Sequence, residues 1–580
     1  MTSGREWTDE QRLAIDRREG ELLLAASAGS GKTSVLVERF VRAVLEDGVD
    51  VGAILTITFT EKAAAEMRDR IRRRLHELGA ADLARATEGA FISTIHGFCA
   101  RVLRAHALLA GIDPAFSVLD EPRARVLARG AFDNALEQLA TRDSGVVELI
   151  AAHGVGTMRG AILGVYGELR SRGQLAPALP EVSAAPDIEG PRAALLRAAA
   201  VLASELDACD TGSVRVAQAI DRLARCEEVT AVADPWPGDL DGLVLPGGNG
   251  AALSTPDCAS YAEALARFRE ACGHRRAIAA HGPLDRLLRG FGARYQERKR
   301  RRSSLDFEDL ELLTRELLLS GDELRERYRA RFERIMVDEL QDTNRVQLEL
   351  IDSLASGNLF AVGDAQQSIY GFRHADVELF EARARQMAGV GALARLQINF
   401  RSRREILEVI NRVFGARSPD EAPADEDRRA GGAFVPLIAG REDPRSGEPR
   451  VELLLADKRA EWFDDEGLAS PWRLAEARAL AVRVGELVAD GAAPGEIVVL
   501  TRAGTDLRLY ERALEEQGVP TYLIGGRGYW SHPQVLDLVA YLRALANPRD
   551  EEAFYSVLAS PMVGVSPDAL VVLAAAAREA

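Results

Sequence analysis

Cysteine is scarce in this chain of 580 residues, and its few copies are not arranged in pairs. The five cysteines are scattered without a Cys-x-x-Cys spacing, and His274 is a lone histidine near Cys272. Metal–sulfur sites need clustered ligands, and disulfide scaffolds are short chains with many spaced cysteines. We therefore expect no metal–sulfur site and no disulfide-stapled module.

Long apolar runs are also missing. The amino-terminal stretch MTSGREWTDE carries charges where a signal peptide needs an apolar segment, and no run of about 18 apolar residues follows it. With 47% hydrophobic and 28% charged residues, the composition is that of a folded protein, so disorder can only be local. At roughly 100–200 residues per domain, we expect about three or four domains in a cytoplasmic protein that has no membrane partner.

Lysine is the third rarity, because the chain has four lysines and 69 arginines. Two of the four, Lys32 and Lys62, lie in the sequences SAGSGKT and TEKAAAEM. A compact ammonium suits a phosphate-binding loop sterically, whereas the wide guanidinium fork does not. The net charge of −16 excludes a surface that is basic throughout, yet it leaves room for a local basic groove. Net charge alone therefore neither supports nor excludes a nucleic-acid partner.

Short apolar runs alternate with helical patterns, which predicts an α/β fold with parallel sheets and crossover helices. The runs are ELLLAA (21–26), AILTITF (53–59), the start of FISTIHGFCARVLR (91–104), FERIMVDE (332–339), NLFAVGD (358–364) and GEIVVLTRA (495–503). Residues 115–300 have helical periodicity instead, with a break near 230–257 that predicts a flexible loop. We expect residues 415–450, which are rich in Pro, Gly and charge, to form a long surface loop.

Residues 26–33, ASAGSGKT, fit the phosphate-loop pattern between a strand and a helix, with Ala26 where the commonest form has Gly. In that pattern the backbone N–H groups surround the phosphates of ATP, the lysine reaches the β and γ oxygens, and the threonine holds Mg²⁺. The predicted ligands of Mg·ATP in this loop are Ala28, Gly29, Ser30, Gly31, Lys32 and Thr33. The alternative is a glycine-rich turn without a ligand.

Two carboxylates, Asp338 and Glu339, end the apolar run RIMV. We expect Asp338 to coordinate Mg²⁺ through water, and Glu339 to orient and deprotonate the attacking water. Asp338 follows Lys32 by 306 residues, which is more than one compact nucleotide-binding core needs. The helical stretch between them is therefore expected to be an insertion, and the spacing favours a motor protein over a small kinase.

Six stretches in order resemble the motif series of superfamily 1 DNA helicases of the UvrD/Rep/RecB type. They are AASAGSGKT, ITFTEKAAAEMRDRI, ISTIHGFCARVLR, IMVDELQDTN, LFAVGDAQQSIYGFRHAD and LQINFRSR. Two further stretches, GGRGYWSHPQVLDLVAYLRALANPRDEEAF and SVLASPMVGVS, look more like the RecB and AddA subunits of helicase–nucleases than like plain UvrD.

The resemblance implies two RecA-like cores. The first core would comprise residues 1–115 and 290–398, with the helical insertion at 116–289 between its halves. The second core would start at 399–530, and its own helical insertion would start at 531–580.

The resemblance also implies roles for residues outside the phosphate loop. Gln11 matches the glutamine that reads adenine, while Phe400 and Arg401 match an aromatic that stacks on adenine and an arginine that contacts the γ-phosphate. Gln367 matches the glutamine that senses the γ-phosphate and couples it to DNA. The implied catalytic residues are Lys32, Asp338, Glu339, Gln367 and Arg401, and the acidic motif extends toward the same coupling through Gln341 and Asp342.

For DNA, the resemblance implies a single strand that crosses both cores with its bases stacked on aromatic side chains. Phe59, Tyr370 and Phe372 occupy those positions, with Phe372 where relatives commonly carry Trp. Stacking is worth about 1–3 kcal/mol per base and needs no sequence preference. His96 and Arg373 match positions that contact the DNA backbone. The alternative is that each aromatic belongs to the core, and that His96 is a buried structural histidine.

The function implied is that of an ATP-dependent 3′–5′ DNA helicase that acts in repair or recombination on single-stranded and duplex DNA. By the finer likeness, it would be the helicase portion of a helicase–nuclease with a second subunit. The alternative from another class is a non-motor scaffold that binds ATP and DNA, although the intact Lys32 and Glu339 argue against it. An unrelated phosphotransferase would not explain the motifs for DNA.

The family's later motifs are absent, and the sequence ends in VVLAAAAREA without a helix stop. We therefore expect the chain to be the N-terminal part of a longer protein. Alone, it should bind nucleotide but be inactive in unwinding, and it should expose apolar surface.

Overall fold

The computed structural model describes residues 6–182, 187–208, 213–232, 235–247, 251–415, 434–441, 450–458, 470–524 and 532–579. The chain forms two compact units, Met1–Arg445 and Ser446–Ala580.

The strands of the described residues all lie in the first unit. They are β1 Leu22–Ala26, β2 Ile54–Thr58, β3 Phe91–Thr94, β4 Ser117–Val118, β5 Ser304–Leu305, β6 Arg334–Val337, β7 Leu359–Gly363, β8 Leu393–Leu396, β9 Ile398–Asn399 and β10 Ile438–Ala439.

The α-helices outnumber the strands. Those of the first unit are α1 Asp9–Asp16, α2 Lys32–Leu45, α3 Glu61–Glu77, α4 Ala81–Ala86, α5 Ile95–Ala105, α6 Glu121–Ala140, α7 Ser144–His153, α8 Val155–Ser171, α9 Glu189–Asp207, α10 Val214–Ala224, α11 Cys226–Thr230, α12 Pro256–Arg300, α13 Phe307–Ser320, α14 Asp322–Arg331, α15 Arg345–Leu354, α16 Val377–Gly389 and α17 Arg404–Gly415. Those of the second unit are α18 Pro471–Ala489, α19 Leu507–Glu516, α20 Pro533–Ala546, α21 Glu551–Ala559 and α22 Pro567–Glu579.

Six strands form one parallel sheet in the order β3-β2-β6-β7-β1-β8. Strands β2 and β7 are buried at every position, because helices cover both faces of the sheet. Successive side chains point to opposite faces, so Leu23 belongs to one apolar cluster while Leu22 and Leu24 belong to the other. The predicted α/β fold with a parallel sheet is confirmed.

The carboxyl ends of β6, β7 and β1 lie side by side in the middle of this sheet. Strand β6 enters between β2 and β7 although it follows β3 by more than two hundred residues of sequence. Parallel sheets bind ligands at the carboxyl edge of their strands. The segments that follow Ala26, Val337 and Gly363 are therefore brought together at this edge.

Two strand assignments differ from the sequence prediction. Strand β8 extends the sheet beyond β1 although no strand was expected there, since Arg395 interrupts its apolar run and points to solvent. The strand predicted at 495–503 is wrong, because residues 497–503 form no strand, and Val498 and Leu500 are 75% and 90% exposed. A strand needs a hydrogen-bonded neighbour, and the described residues of the second unit provide none.

A large helical insertion separates the two halves of the sheet, as predicted. It contains α6 to α12, and its longest helix, α12, runs for 45 residues. The described part of the flexible loop predicted near 230–257 is packed against α12. A 3₁₀ turn at Asp239–Leu243 buries Leu240, and the hydroxyl of Tyr261 in α12 donates a hydrogen bond to the carbonyl of Leu243 at 2.9 Å.

Most of the surface loop predicted at 415–450 lies outside the described residues. In the part that is described, Ile438–Ala439 pairs in parallel with Ile398–Asn399. The amide of Asn411 also donates a hydrogen bond to the carbonyl of Leu437 at 2.9 Å.

No single helix among the described residues is long and apolar enough to cross a membrane. By length and composition alone, α7 and α8 pass the same criterion together, as a pair bent by 108°. Their side chains Val146, Met158 and Ile162 are buried in an apolar cluster of the insertion.

A cluster of four buried charged side chains connects the helical insertion to α13, which follows it in the sequence. The ammonium of Lys299 in α12 donates 2.5 Å hydrogen bonds to Asp306 and Asp309 at the start of α13. The guanidinium of Arg170 in α8 donates to Asp309 at 2.6 Å, and all four side chains are at most 6% exposed. Burial favours the neutral form of Asp306, but Lys299 and Arg170 outweigh it and lower the pKa of that carboxyl to about 2.

Lys299→Ala should destabilise the first unit by about 3–5 kcal/mol, because it leaves two buried carboxylates with one cation. The matched control is Arg301→Ala, whose side chain is 75% exposed two residues further along. The control should change stability by no more than about 0.5 kcal/mol. Chemical unfolding followed by circular dichroism measures both variants. If both variants change the free energy of unfolding equally and only slightly, the buried cluster does not stabilise the first unit.

Candidate functional site

The phosphate loop, residues 26–33, connects β1 to α2 at the carboxyl edge of the sheet. Gly29 and Gly31 have φ values of 70° and 88°, a left-handed conformation that side chains rarely adopt. No side chain caps the amino end of α2, which begins at Lys32. Backbone N–H groups at such an end bind anions. The loop therefore has the conformation and the polarity that a phosphate group requires.

Gln11, which the resemblance matches to a glutamine that reads adenine, lies against this loop. Thr8 and Gln11 form a reciprocal cap at the start of α1, which fixes the glutamine side chain. The amide nitrogen of Gln11 then donates a hydrogen bond to the carbonyl of Ser30 at 2.9 Å. The side chain is nearly buried, with 5% exposed. Its role in reading adenine stays a prediction.

Asn399 clamps the segment with Phe400 and Arg401 to the phosphate loop. Its amide nitrogen donates to the carbonyl of Ala28 at 2.7 Å, and its oxygen accepts from the N–H of Arg401 at 2.9 Å. The N–H of Phe400 donates to the carbonyl of Gly29 at 3.0 Å, while its ring is 43% exposed. Sequence reasoning missed Asn399, although it directly precedes the predicted pair.

Lys32, Glu339 and Gln367 meet at the centre of the site. The Lys32 ammonium donates hydrogen bonds to Glu339 Oε2 at 3.1 Å and to Gln367 Oε1 at 3.4 Å. Glu339 has a φ of 53°, which costs a residue other than glycine roughly 1–3 kcal/mol. The amide of Gln341 donates to the same Glu339 oxygen at 2.9 Å and holds it there. Three of the predicted catalytic residues are thus in direct contact.

The adjacent carboxylates suit a hard cation. Burial first, and then the charge of Glu339, raises the pKa of both Asp338 and Asp342 to about 6. Asp342 Oδ1 is buried without a hydrogen-bond partner. A divalent cation would relieve this excess of buried negative charge, and oxygen donors such as Asp338 and Thr33 match the preference of Mg²⁺.

No group of three or more His, Cys, Asp or Glu side chains able to hold a metal occurs within the described residues. Mg²⁺ in phosphate-loop sites takes only one or two protein ligands and completes its shell with phosphate oxygens and water. The residues present therefore fit Mg·ATP, although they would not form an all-protein metal cage.

A short connection, residues 364–373, leads from the end of β7 past Lys32 of the phosphate loop to a group of aromatic rings. The N–H of Asp364 donates to Gln341 Oε1 at 2.9 Å, and Gln367 donates through its amide to the Asp364 carboxylate. The chain then turns through Tyr370 and Phe372. One connection thus carries a contact to Lys32 at its start and two aromatic side chains at its end.

The three predicted stacking residues form a continuous aromatic row. The ring centroids of Phe59 and Tyr370 are 4.5 Å apart, and those of Tyr370 and Phe372 are 5.8 Å apart. The guanidinium of Arg373 lies 6.0 Å from the rings of both Tyr370 and Phe372. Phe372 is 76% exposed, which is incompatible with the alternative that it belongs to the core. The row presents faces on which flat ligands can stack.

His96 lies at the start of α5, where Glu311 and Phe307 contact its imidazole. Its Nε2 is 2.9 Å from Glu311 Oε1, and its ring centroid is 4.8 Å from that of Phe307. Burial lowers the pKa of His96, but the hydrogen bond and charge of Glu311 outweigh it, so the pKa is raised. Sequence reasoning missed Glu311, because a glutamate inside a helical pattern has no local signal of a partner 215 positions away.

A phosphate loop, an acidic strand end and a long helical insertion in one parallel sheet define a phosphate-loop nucleotide-binding protein. The family model of the UvrD/REP helicase N-terminal domain matches residues 7–388, and that of the UvrD-like helicase C-terminal domain matches residues 394–579. The chain belongs to the UvrD/REP helicase family.

Several curated proteins are similar to this chain over nearly all of its length. An ATP-dependent helicase/nuclease subunit of Anoxybacillus flavithermus is 30% identical, and the match covers 97% of this chain and 54% of the relative. The proteins of the same name from Listeria monocytogenes and Alkaliphilus oremlandii are each 28% identical, with 53% of each covered. The predicted likeness to helicase–nuclease subunits is confirmed. The chain spans about half the length of the curated relatives it matches.

Gly29→Ala should weaken nucleotide binding at least tenfold. A Cβ at this position would lie 2.8 Å from Arg401 Cβ and 2.9 Å from Asn399 Oδ1, so the clamp must move. Gly20→Ala is the control, because it has a φ of 73° and nothing within 4 Å of the added Cβ. Titration with a fluorescent ATP analogue measures the affinity. Equal losses in both variants would mean that backbone strain alone matters, and the clamp would have no role.

Proposed function

We propose that the chain is the motor part of an ATP-dependent DNA helicase that moves 3′ to 5′ along one strand and opens duplex DNA in repair or recombination. The observation that carries this proposal is the connection 364–373. Gln367 touches Lys32 of the phosphate loop, and Tyr370 lies three residues further on, against Phe59. A change at the γ-phosphate is thereby linked to the surface on which bases stack.

The ATP site works by exchange of hydrogen bonds. Bound Mg·ATP supplies the γ-phosphoryl group and the cation that offsets the buried carboxylates. Lys32 turns its ammonium from Glu339 to the phosphate oxygens, which frees the carboxylate. Glu339 would then accept a proton from the water that attacks the γ-phosphorus as the bond to the leaving ADP oxygen breaks, and Asp338 and Thr33 would hold Mg²⁺. Gln367 loses its contact with Lys32 in the same exchange. Its position therefore depends on whether ATP is bound.

The DNA side works by stacking and by contacts to phosphate. Phe59, Tyr370 and Phe372 receive successive bases of a single strand, which explains binding without sequence preference. Arg373 and His96 supply positive charge to the strand's backbone. We assign stacking on adenine to Phe400 and contact with the γ-phosphate to Arg401 by the resemblance, and the bonds of Asn399 and of the Phe400 N–H hold both residues beside the phosphate loop.

The names of the similar proteins suggest the wider assembly. Those proteins are called subunits of a helicase/nuclease, and we propose that this chain likewise works with a nuclease activity and with a second subunit. A non-motor scaffold is disfavoured, because Lys32, Glu339 and Gln367 are intact and in contact. A scaffold would tolerate the loss of these groups.

Glu339→Gln should still bind Mg·ATP but slow its hydrolysis by about 10²-fold or more, because the base is lost while Asp338 remains. Binding of a fluorescent analogue and turnover with single-stranded DNA are measured on the protein at its full natural length. Glu333→Gln, an exposed glutamate ahead of the same strand, is the control and should turn over normally. Unchanged turnover in Glu339→Gln would show that Glu339 is not the catalytic base, and it would contradict the proposed ATP-driven mechanism.

Phe372→Ala should weaken binding of single-stranded DNA by about 5- to 150-fold, which corresponds to one lost stack of about 1–3 kcal/mol. Its melting temperature should not change, because the ring is exposed. Leu108→Ala removes another exposed apolar side chain, 88% exposed, and should leave DNA affinity intact. Fluorescence anisotropy with labelled oligonucleotides gives both affinities. Normal affinity in Phe372→Ala together with lowered stability would favour a structural role for the ring.

A further inference from the structure

His96 is supported by a carboxylate that none of the assigned roles uses. Glu311 lies in α13, and its side chain is 5% exposed. The His96 side chain beside it is 31% exposed, so part of the imidazole is accessible to a ligand. The pair therefore joins a buried charge to a partly open surface.

Glu311 accepts hydrogen bonds from three side chains. Besides His96, the amide of Gln347 donates to its Oε1 at 2.6 Å, and the amide of Asn344 donates to its Oε2 at 3.1 Å. Burial raises the pKa of Glu311, but the bonds from His96, Gln347 and Asn344 outweigh it and the pKa is lowered. The carboxylate is therefore ionised at neutral pH, and it orients the imidazole.

The two amide donors to Glu311, Asn344 and Gln347, belong to the segment that follows the carboxylates of the ATP site. Asn344 caps α15, because its side-chain oxygen accepts from the N–H of Gln347 at 2.8 Å. Only Thr343 separates Asn344 from Asp342, the last carboxylate of the acidic motif. The amide of Asn344 cannot be turned over to suit another partner, because that would break the helix cap. Glu311 is thus held rigidly from the ATP side.

We propose that Glu311 is a positioning residue that keeps His96 oriented and charged for contact with the phosphate backbone of single-stranded DNA. This inference rests on the proposed function, which supplies the DNA. Three carboxylates act on His96: Glu311 by direct contact, and Glu308 and Glu61 by charge alone. All three favour the imidazolium when they are ionised, but burial and then the charge of Asp306 raise the pKa of Glu308 to about 7, so its contribution fades below that pH. Of the three, only Glu311 also fixes the orientation of the ring.

Glu311→Gln is the test. It removes the negative charge of Glu311 and places an amide N–H opposite one of the three side chains that donate hydrogen bonds to it. Protonated His96 binds phosphate, so DNA affinity falls as pH rises through the raised pKa of His96. In Glu311→Gln this fall should occur at lower pH, and affinity at neutral pH should drop about 3- to 10-fold. Anisotropy with a labelled oligonucleotide between about pH 5.5 and 8.5 gives both profiles.

The control is Glu316→Gln, an exposed glutamate on the same helix, which should keep the wild-type profile. His96→Gln should flatten the profile, and Glu311→Gln added to His96→Gln should cost no further affinity, because Glu311 acts through the imidazole. A purely structural role would weaken binding in both backgrounds, and that result would overturn the proposal.

Other outcomes are also decisive. If Glu311→Gln is unfolded, Gln347→Ala removes one donor to Glu311 and should weaken DNA binding by a smaller factor; wild-type affinity there would overturn the proposal. A wild-type chain that binds no single-stranded DNA would contradict the proposed function itself. A wild-type chain that binds DNA with the same pH profile as Glu311→Gln would contradict only the role of Glu311.

Discussion

The ammonium of Lys32 is the contact on which the rest of the site depends. It joins Glu339 and Gln367, which lie 307 and 335 positions further along the chain. These partners reach it only because β6, β7 and β1 end side by side in one parallel sheet. An arginine would not fit the same turn, which explains why a chain with 69 arginines keeps a lysine here.

Buried charge is used in the same manner at three places. Lys32 neutralises Glu339, Lys299 and Arg170 neutralise Asp306 and Asp309, and His96 is held by Glu311. Lys32 and Glu339, Arg170 and Asp309, and His96 and Glu311 are far apart in the sequence, whereas Lys299 lies only seven residues before Asp306. In each case, loss of one member leaves a buried charge without its partner. The difference lies in exposure. The Lys299 cluster is at most 6% exposed and only connects the insertion, whereas Glu339 beside Lys32 and His96 beside Glu311 are each about a third exposed, so a ligand can reach them.

The features predicted from sequence are those with a local pattern. The phosphate loop and the Asp338–Glu339 pair each lie at a strand end, so their local pattern located them. The aromatic residues of the 364–373 connection were located by the resemblance of their stretch to a helicase motif. Asn399 and Glu311 were missed because their partners are set by the tertiary fold. The strand predicted at 495–503 failed for the converse reason: its pattern is local, but a strand exists only when a neighbour pairs with it.

The central claim is that ATP hydrolysis at the nucleotide site is coupled to DNA binding at the aromatic row. The direct measurement is the rate of ATP hydrolysis by the protein at its full natural length, titrated with single-stranded DNA of mixed sequence. The account predicts that hydrolysis rises at least tenfold and saturates with DNA, independently of base composition. A rate that is the same with and without DNA would contradict the account, even if the protein bound both ligands tightly.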